Sequence, residues 1–134
     1  MIRKADINDY IKLAISINKT SKNSPYINKE LLHSDIVNGE CYIYEKNGKA
    51  AAIGSLVFDS HYQMYYIKRV TVMNKKNLGK GYAKEMIKYL QMSHRVVACT
   101  PWTDNYKMQR MLEKMGFQFH YVFNENYMLY ISSI

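Results

Sequence analysis

The sequence predicts an α+β fold of the α/β class, a mixed central sheet of about seven strands flanked by four helices in the order βααβββαβαββ. Three observations carry this expectation. Short strand-like runs bounded by turn residues alternate with longer runs that keep their apolar residues on one helical face. Asn47-Gly48 joins two of the strand-like runs, and an Asn-Gly pair suits the type I′ turn, which needs positive φ at both central positions. The run Val72-Met73-Asn74-Lys75-Lys76-Asn77-Leu78-Gly79-Lys80-Gly81-Tyr82-Ala83 passes from an apolar strand through a glycine-bearing turn into a helix.

In chain order, Ile2 to Lys4 reads as a short strand. Asp6, with Asp9 three residues on, forms a helix cap ahead of Ile7, Ile11, Ala14 and Ile17 on one face. The polar run Asn18 to Pro25 reads as a turn-prone joint and a candidate acceptor lid, with a second helix from Asn28 carrying Leu31, Leu32 and Ile36. Cys41 to Glu45 and Ala50 to Phe58 form the hairpin, and Tyr65 to Met73 the long strand that follows. Ala83, Met86, Ile87 and Leu90 stripe the helix after the glycines, and Arg95 to Thr100 reads as a strand. Thr103 or Asp104 caps a helix with Met108, Met111, Leu112 and Met115, and Phe117 to Phe123 and Tyr127 to Ile131 pair around Asn124-Glu125-Asn126.

A chain of 134 residues, 48% hydrophobic, suits one domain spanning 1–134 with a real core. The polar start and the absence of a long apolar run point to a cytoplasmic protein. Cys41 and Cys99 lie far apart in strand-like runs and read as buried thiols, and His33, His61, His94 and His120 follow no metal-ligand spacing, so no metal is expected. A net charge of +8 favours anionic ligands, although lysine-rich, Asn-, Ile- and Tyr-rich composition is also what AT-rich codons produce. Nucleic acid is weakly supported as a partner, because no strand face interleaves aromatic and basic residues.

The glycine turn is a socket for phosphate. Gly79 and Gly81 let backbone approach a ligand, and the amides that open the helix present N–H donors and the positive end of its dipole. Gly81 after Lys80 breaks the Gly-Lys-Ser/Thr ending of a nucleoside-triphosphate loop, and Lys84 stands where a dinucleotide fingerprint has its third glycine. What remains is a cation, two residues, Gly, one residue, Gly.

Lys76, Gly79 and Gly81 in that spacing resemble the pyrophosphate loop of the GNAT superfamily of acyl-CoA-dependent N-acetyltransferases, with Lys76 in place of the family's Arg or Gln. A second segment, Asn105 to Gly116-Phe117, resembles the family's later helix, which starts at Asn and ends in Gly-Phe. The resemblance implies acetyl-CoA as cosubstrate, its pyrophosphate on amides from Asn77 through Leu78, Gly79, Lys80, Gly81 and Tyr82 to Ala83. It places the pantetheine arm between two splayed parallel strands, against backbone near Val70 and Val72, with Asn105, Met108 and Leu112 on the other side. Splaying needs a bulge, and the Pro101-Trp102 break is compatible with one.

The acceptor amine must be neutral to attack, and an ordinary lysine-type amine has a pKa near 10.4, so a base is expected. Met64 to Val70 lacks the strand Glu of many relatives, which leaves Tyr66 to position a water or the amine, with Glu40, Asp59 and His120 as outsiders. The family's thiolate-protonating Tyr falls at Leu112, and Tyr106 or Tyr82 could substitute. Two functions therefore stand: transfer of acetyl from acetyl-CoA to a primary amine in a ternary complex, or acyl-CoA binding by a regulatory module with little catalysis. The amine is either small or carried on a macromolecule, and Tyr127, Met128, Tyr130 and Ile131 suggest a final strand whose edge pairs with a second copy in a homodimer.

Overall fold

A computed structural model describes residues 1–20 and 29–133. The elements are β1 (Ile2–Lys4), α1 (Ile7–Thr20), α2 (Lys29–Asn38), β2 (Glu40–Lys46), β3 (Lys49–Asp59), β4 (Met64–Val72), α3 (Tyr82–Ser93), β5 (Val96–Cys99), α4 (Tyr106–Lys114), β6 (Gln118–Phe123) and β7 (Tyr127–Ser133). The strands make one seven-stranded sheet in the order β1-β2-β3-β4-β5-β7-β6. Within it β4 and β5 pair in parallel and every other neighbouring pair is antiparallel.

Local chemistry explains several boundaries. The Asp6 carboxylate accepts from the N–H of Asn8 at 2.9 Å, while the Asp9 carboxylate accepts from the Asp6 N–H at 2.9 Å, so the entry to α1 is a reciprocal capping box. Asn47 and Gly48 both have positive φ, 54° and 75°, as the two-residue hairpin requires. α1 continues through Thr20, so Asn18 to Thr20 are helical rather than a turn, and the remainder of the expected lid and the start at Asn28 lie outside the described residues. The cap of α4 is Asn105, not Thr103 or Asp104: its side-chain oxygen accepts from the Met108 N–H at 3.2 Å.

The helices cover the two faces of the sheet. Leu13 and Leu32 of α1 and α2 pack with Cys41, Ile43 and Ile53 on one face. Met86, Ile87 and Leu90 of α3 and Leu112 of α4 pack with Leu56, Ile67, Val97 and Tyr130 on the other. Each such buried side chain contributes about 1.5–3 kcal/mol. Gly54 sets the closeness of α3, since a Cβ there would lie 2.5 Å from the Met86 side chain. Burial pushes the thiols of Cys41 and Cys99 up to about 12, so both stay protonated at neutral pH.

β7 lies between β5 and β6, so the outer edge belongs to β6 and the edge expected from Tyr127 to Ile131 is already paired. That order also opens the sheet. Register between β4 and β5 covers Tyr65↔Val97, Tyr66↔Ala98 and Ile67↔Cys99. Past Cys99 the chain follows β7 instead: Met128 N–H donates to the Pro101 carbonyl at 2.9 Å, and Thr103 N–H to the Asn126 carbonyl at 2.9 Å. β4 runs on from Lys68 to Val72 with no β5 residue in register beside it. A bulge sits within β4, where Ser55 faces Arg69 and Leu56 faces Ile67, leaving Lys68 as the extra residue.

Candidate active site

The V between β4 and β5 has the glycine turn at one end. Gly79 and Gly81 hold φ of 75° and 84°, a region that costs an L-residue roughly 1–2 kcal/mol, and a Cβ at either would meet no atom within 4 Å. These glycines are therefore demanded by backbone conformation, and the space beside them is open. Gly81 is also the N-cap of α3 and offers no side chain to its amides. Its carbonyl accepts the N–H of Glu85 at 3.0 Å, so the amides of Tyr82, Ala83 and Lys84 precede the first helical bond. The turn is braced from beneath by Asn77, whose side-chain N–H donates to the Met73 carbonyl at 2.7 Å.

The opposite wall is the corner between β5 and α4. Asn105 uses its oxygen for the cap, which leaves the side-chain NH₂ as a donor. Gln109, 8% exposed, donates from that single NH₂ group to the carbonyls of Trp102 at 2.9 Å and Thr103 at 3.0 Å. The far end of α4 closes by a Schellman motif: Phe117 N–H donates to the Leu112 carbonyl and Gly116 N–H, at φ 95°, to that of Glu113. The Gly-Phe pair thus ends the helix and seats Phe117 in the core beside Leu112.

On the α1/α2 face of the sheet a pocket of about 270 Å³ is lined by Asp59, Tyr62, Met64, Tyr66, Ala98, Thr100, Tyr121, Phe123 and Leu129. Tyr66 and Ala98 are a register pair next to the point of divergence, and Thr100 lies just beyond it. The pocket therefore abuts the mouth of the V. Tyr66 and Asp59 are brought together here, as two candidates from separate parts of the sequence.

Other candidates fall elsewhere. Leu112 is 0% exposed within the core, because the α4 stripe that the Met and Leu spacing creates faces the sheet. The Tyr82 ring is buried against Tyr44, centroids 4.9 Å apart. Tyr106 is 64% exposed on the first turn of α4 and does not share the Tyr66 pocket. Val70 and Met108 are half-buried at the margin of the α3/α4 core, and Lys76, Leu78 and Lys80 are exposed on the turn. Glu40 is engaged on the other side of the sheet by the Tyr42 hydroxyl at 2.7 Å and His94 Nε2 at 2.8 Å. Burial opposes its charge, but those two hydrogen bonds together with the charges of His94 and Lys4 hold the carboxyl below its ordinary value. His120 is exposed on β6 and does not line the pocket.

Three features escaped the sequence reading. Gln109 on α4 ties down the carbonyls of Trp102 and Thr103. Asp35 on α2, 2% exposed, accepts from Arg69 Nε at 2.9 Å and Nη2 at 3.2 Å, with Lys68 Nζ at 3.5 Å, which ties the bulge of β4 to the helix above it. Lys84 of α3 and Lys107, Arg110 and Lys114 of α4 line a cationic groove beside the V, legible only as an i, i+3, i+7 spacing once α4 is known. Among the described residues no group of three His, Cys, Asp or Glu could hold a metal ion, and no helix is long and apolar enough to cross a membrane.

The profile of the Acetyltransferase (GNAT) family matches residues 10–117. No curated protein sequence matches the chain. Among solved structures, the ribosomal-protein-S18-alanine N-acetyltransferase of Escherichia coli superposes with a TM-score of 0.76 at 11% identity, covering 100% of this chain and 93% of that one. A GNAT family acetyltransferase from Listeria monocytogenes gives 0.75 at 21% identity, with 100% and 94% covered. One from Elizabethkingia anophelis, solved with acetyl-CoA bound, gives 0.71 at 15% identity, with 100% and 97% covered.

Proposed function

The chain belongs to the GNAT acetyltransferase family, and on that premise we propose that residues 1–134 are a single domain that transfers acetyl from acetyl-CoA to a primary amine by direct attack in a ternary complex. The observation that supports this most is the V itself. It joins the unpaired amides at the start of α3, on one face of the sheet, to the aromatic pocket on the other.

In this reading the amides from Leu78 to Ala83 take the pyrophosphate, and Lys76, Lys80 and the groove of Lys84, Lys107 and Arg110 supply positive charge around the phosphates. The β4 backbone from Lys68 to Val72 pairs with the pantetheine arm, and the Asn105 NH₂ donates to it from the facing wall. Asp35, through Arg69 and Lys68, holds the bulge so that β4 amides stay aimed at the thioester oxygen, where negative charge builds during attack. A preorganised donor of that kind is worth about 3–4 kcal/mol. Tyr66 positions the amine or its water. A thiol of pKa near 8.5 leaves tolerably without an acid, so Leu112 at the family's Tyr position slows the reaction without stopping it.

One observation favours the second reading, an acyl-CoA-binding module with little catalysis: Leu112 is sealed in the core and Tyr106 faces solvent. Isothermal titration with acetyl-CoA, followed by thiol release in the presence of a primary amine, separates the two. Transferase function predicts a Kd between about 1 µM and 1 mM and amine-dependent thiol release. Binding without release across a broad amine panel would select the module, and absence of binding by folded protein would remove both.

A further inference from the structure

We propose that the acceptor is a small primary amine on a neutral, ring-bearing apolar body, held in the aromatic pocket beside Tyr66; this rests on the transferase reading above. Four rings, Tyr62, Tyr66, Tyr121 and Phe123, line the pocket, and among the described residues no Lys or Arg does, although the net charge is +8. The cations of the groove formed by Lys84, Lys107, Arg110 and Lys114 thus have no counterpart among the described residues of this lining. The charged residue in the lining is Asp59, whose Oδ1 accepts from the N–H of His61 at 2.9 Å and of Tyr62 at 3.1 Å. Those bonds fix the carboxylate at the rim without neutralising it.

Such a lining selects by chemistry. An approaching ammonium is drawn by the carboxylate and by ring faces, and gives one proton to solvent water before attack, the one that ends on CoA being the second. A phosphate or carboxylate on the acceptor would meet Asp59, with no cation among the described lining residues to pair with. A polyamine would press further charges against apolar walls while being repelled by the molecule as a whole. At about 270 Å³ the space suits one ring and a short chain. In the transfer the amine nitrogen bonds to the thioester carbonyl carbon as the C–S bond breaks. The proton lost by nitrogen ends on the CoA thiol, giving the N-acetyl amine and free CoA.

The test uses 2-phenylethylamine, phosphoethanolamine and putrescine on the full chain with acetyl-CoA, reading thiol release, together with saturation-transfer NMR of 2-phenylethylamine on the protein alone. The expected kcat/KM for 2-phenylethylamine exceeds that for each of the other two by at least tenfold. In Tyr121→Ala its KM rises about tenfold and its NMR signal fades, while the KM for acetyl-CoA is unchanged. In Asp59→Asn, which retains the turn-capping oxygen, its KM rises about fivefold. Acetyl-CoA binding with preferred use of phosphoethanolamine or putrescine would overturn the inference and leave the transferase standing. Amine binding without acetyl-CoA binding would overturn both.

Discussion

Two strand-to-helix corners flank the V, and they are built oppositely. Between β4 and α3 the chain turns through Gly79 and Gly81 in left-handed conformations, with no side-chain cap on the helix. Between β5 and α4 the Asn105 side chain caps the helix and Gln109 ties down the carbonyls of Trp102 and Thr103. The first corner leaves backbone donors to be satisfied by a ligand. At the second, side chains serve the helix cap and two carbonyls, while backbone bonds at Pro101 and Thr103 keep the segment after β5 against β7. Rigidity on one wall is what allows the other to remain open.

The largest effect should come from breaking the open corner. Gly81→Glu adds left-handed strain and a negative charge where phosphate is expected, and acetyl-CoA affinity by titration calorimetry should fall about 100-fold or more, on the order of 3 kcal/mol. A variant that bound normally would show that the amides of this corner are not the phosphate site. Breaking the closed corner should act on stability first. Gln109→Leu keeps the bulk but leaves two carbonyls without their donor, at about 2 kcal/mol, so Tm should drop by roughly 6–10 °C, with a smaller loss of affinity than in Gly81→Glu.

A third corner, from β1 to α1, sharpens the contrast because charge holds it. Arg3 donates to both carboxylate oxygens of Asp9, at 2.9 and 2.7 Å, and these bonds lower the Asp9 carboxyl to about 2. A depressed carboxyl pKa gives stability that is complete above the unfolded value, near 3.9, and lost as pH falls through about 2. Protection of the Asn8 and Asp9 amides, measured against the intrinsic exchange rate at each pH, should therefore fall between pH 4 and pH 2 ahead of protection at Gln109. Simultaneous loosening would mean that Asp9 does not hold the corner on its own.

Features set by neighbouring residues were legible. Asn47-Gly48 specifies its turn because both positions need positive φ, Asp6 and Asp9 specify a cap three residues apart, and Gly116-Phe117 specifies a helix end. The glycine turn was readable for the same reason. Features set by partners far along the chain were not. Gln109, Asp35 and Lys68 are ordinary residues until the fold supplies their partners, and the β6 edge depends on where β7 inserts.

The sequence by itself determined the order of elements, the family and the glycine turn, since each is encoded in periodicity, motif spacing or backbone conformations that only particular residues adopt. The tertiary structure alone decided that Leu112 is sealed in the core, that the chain past Cys99 follows β7, and that Asp59, Tyr66 and Tyr121 share one pocket. Those outcomes come from long-range strand pairing and from which face of the sheet each side chain takes. No local signal carries either.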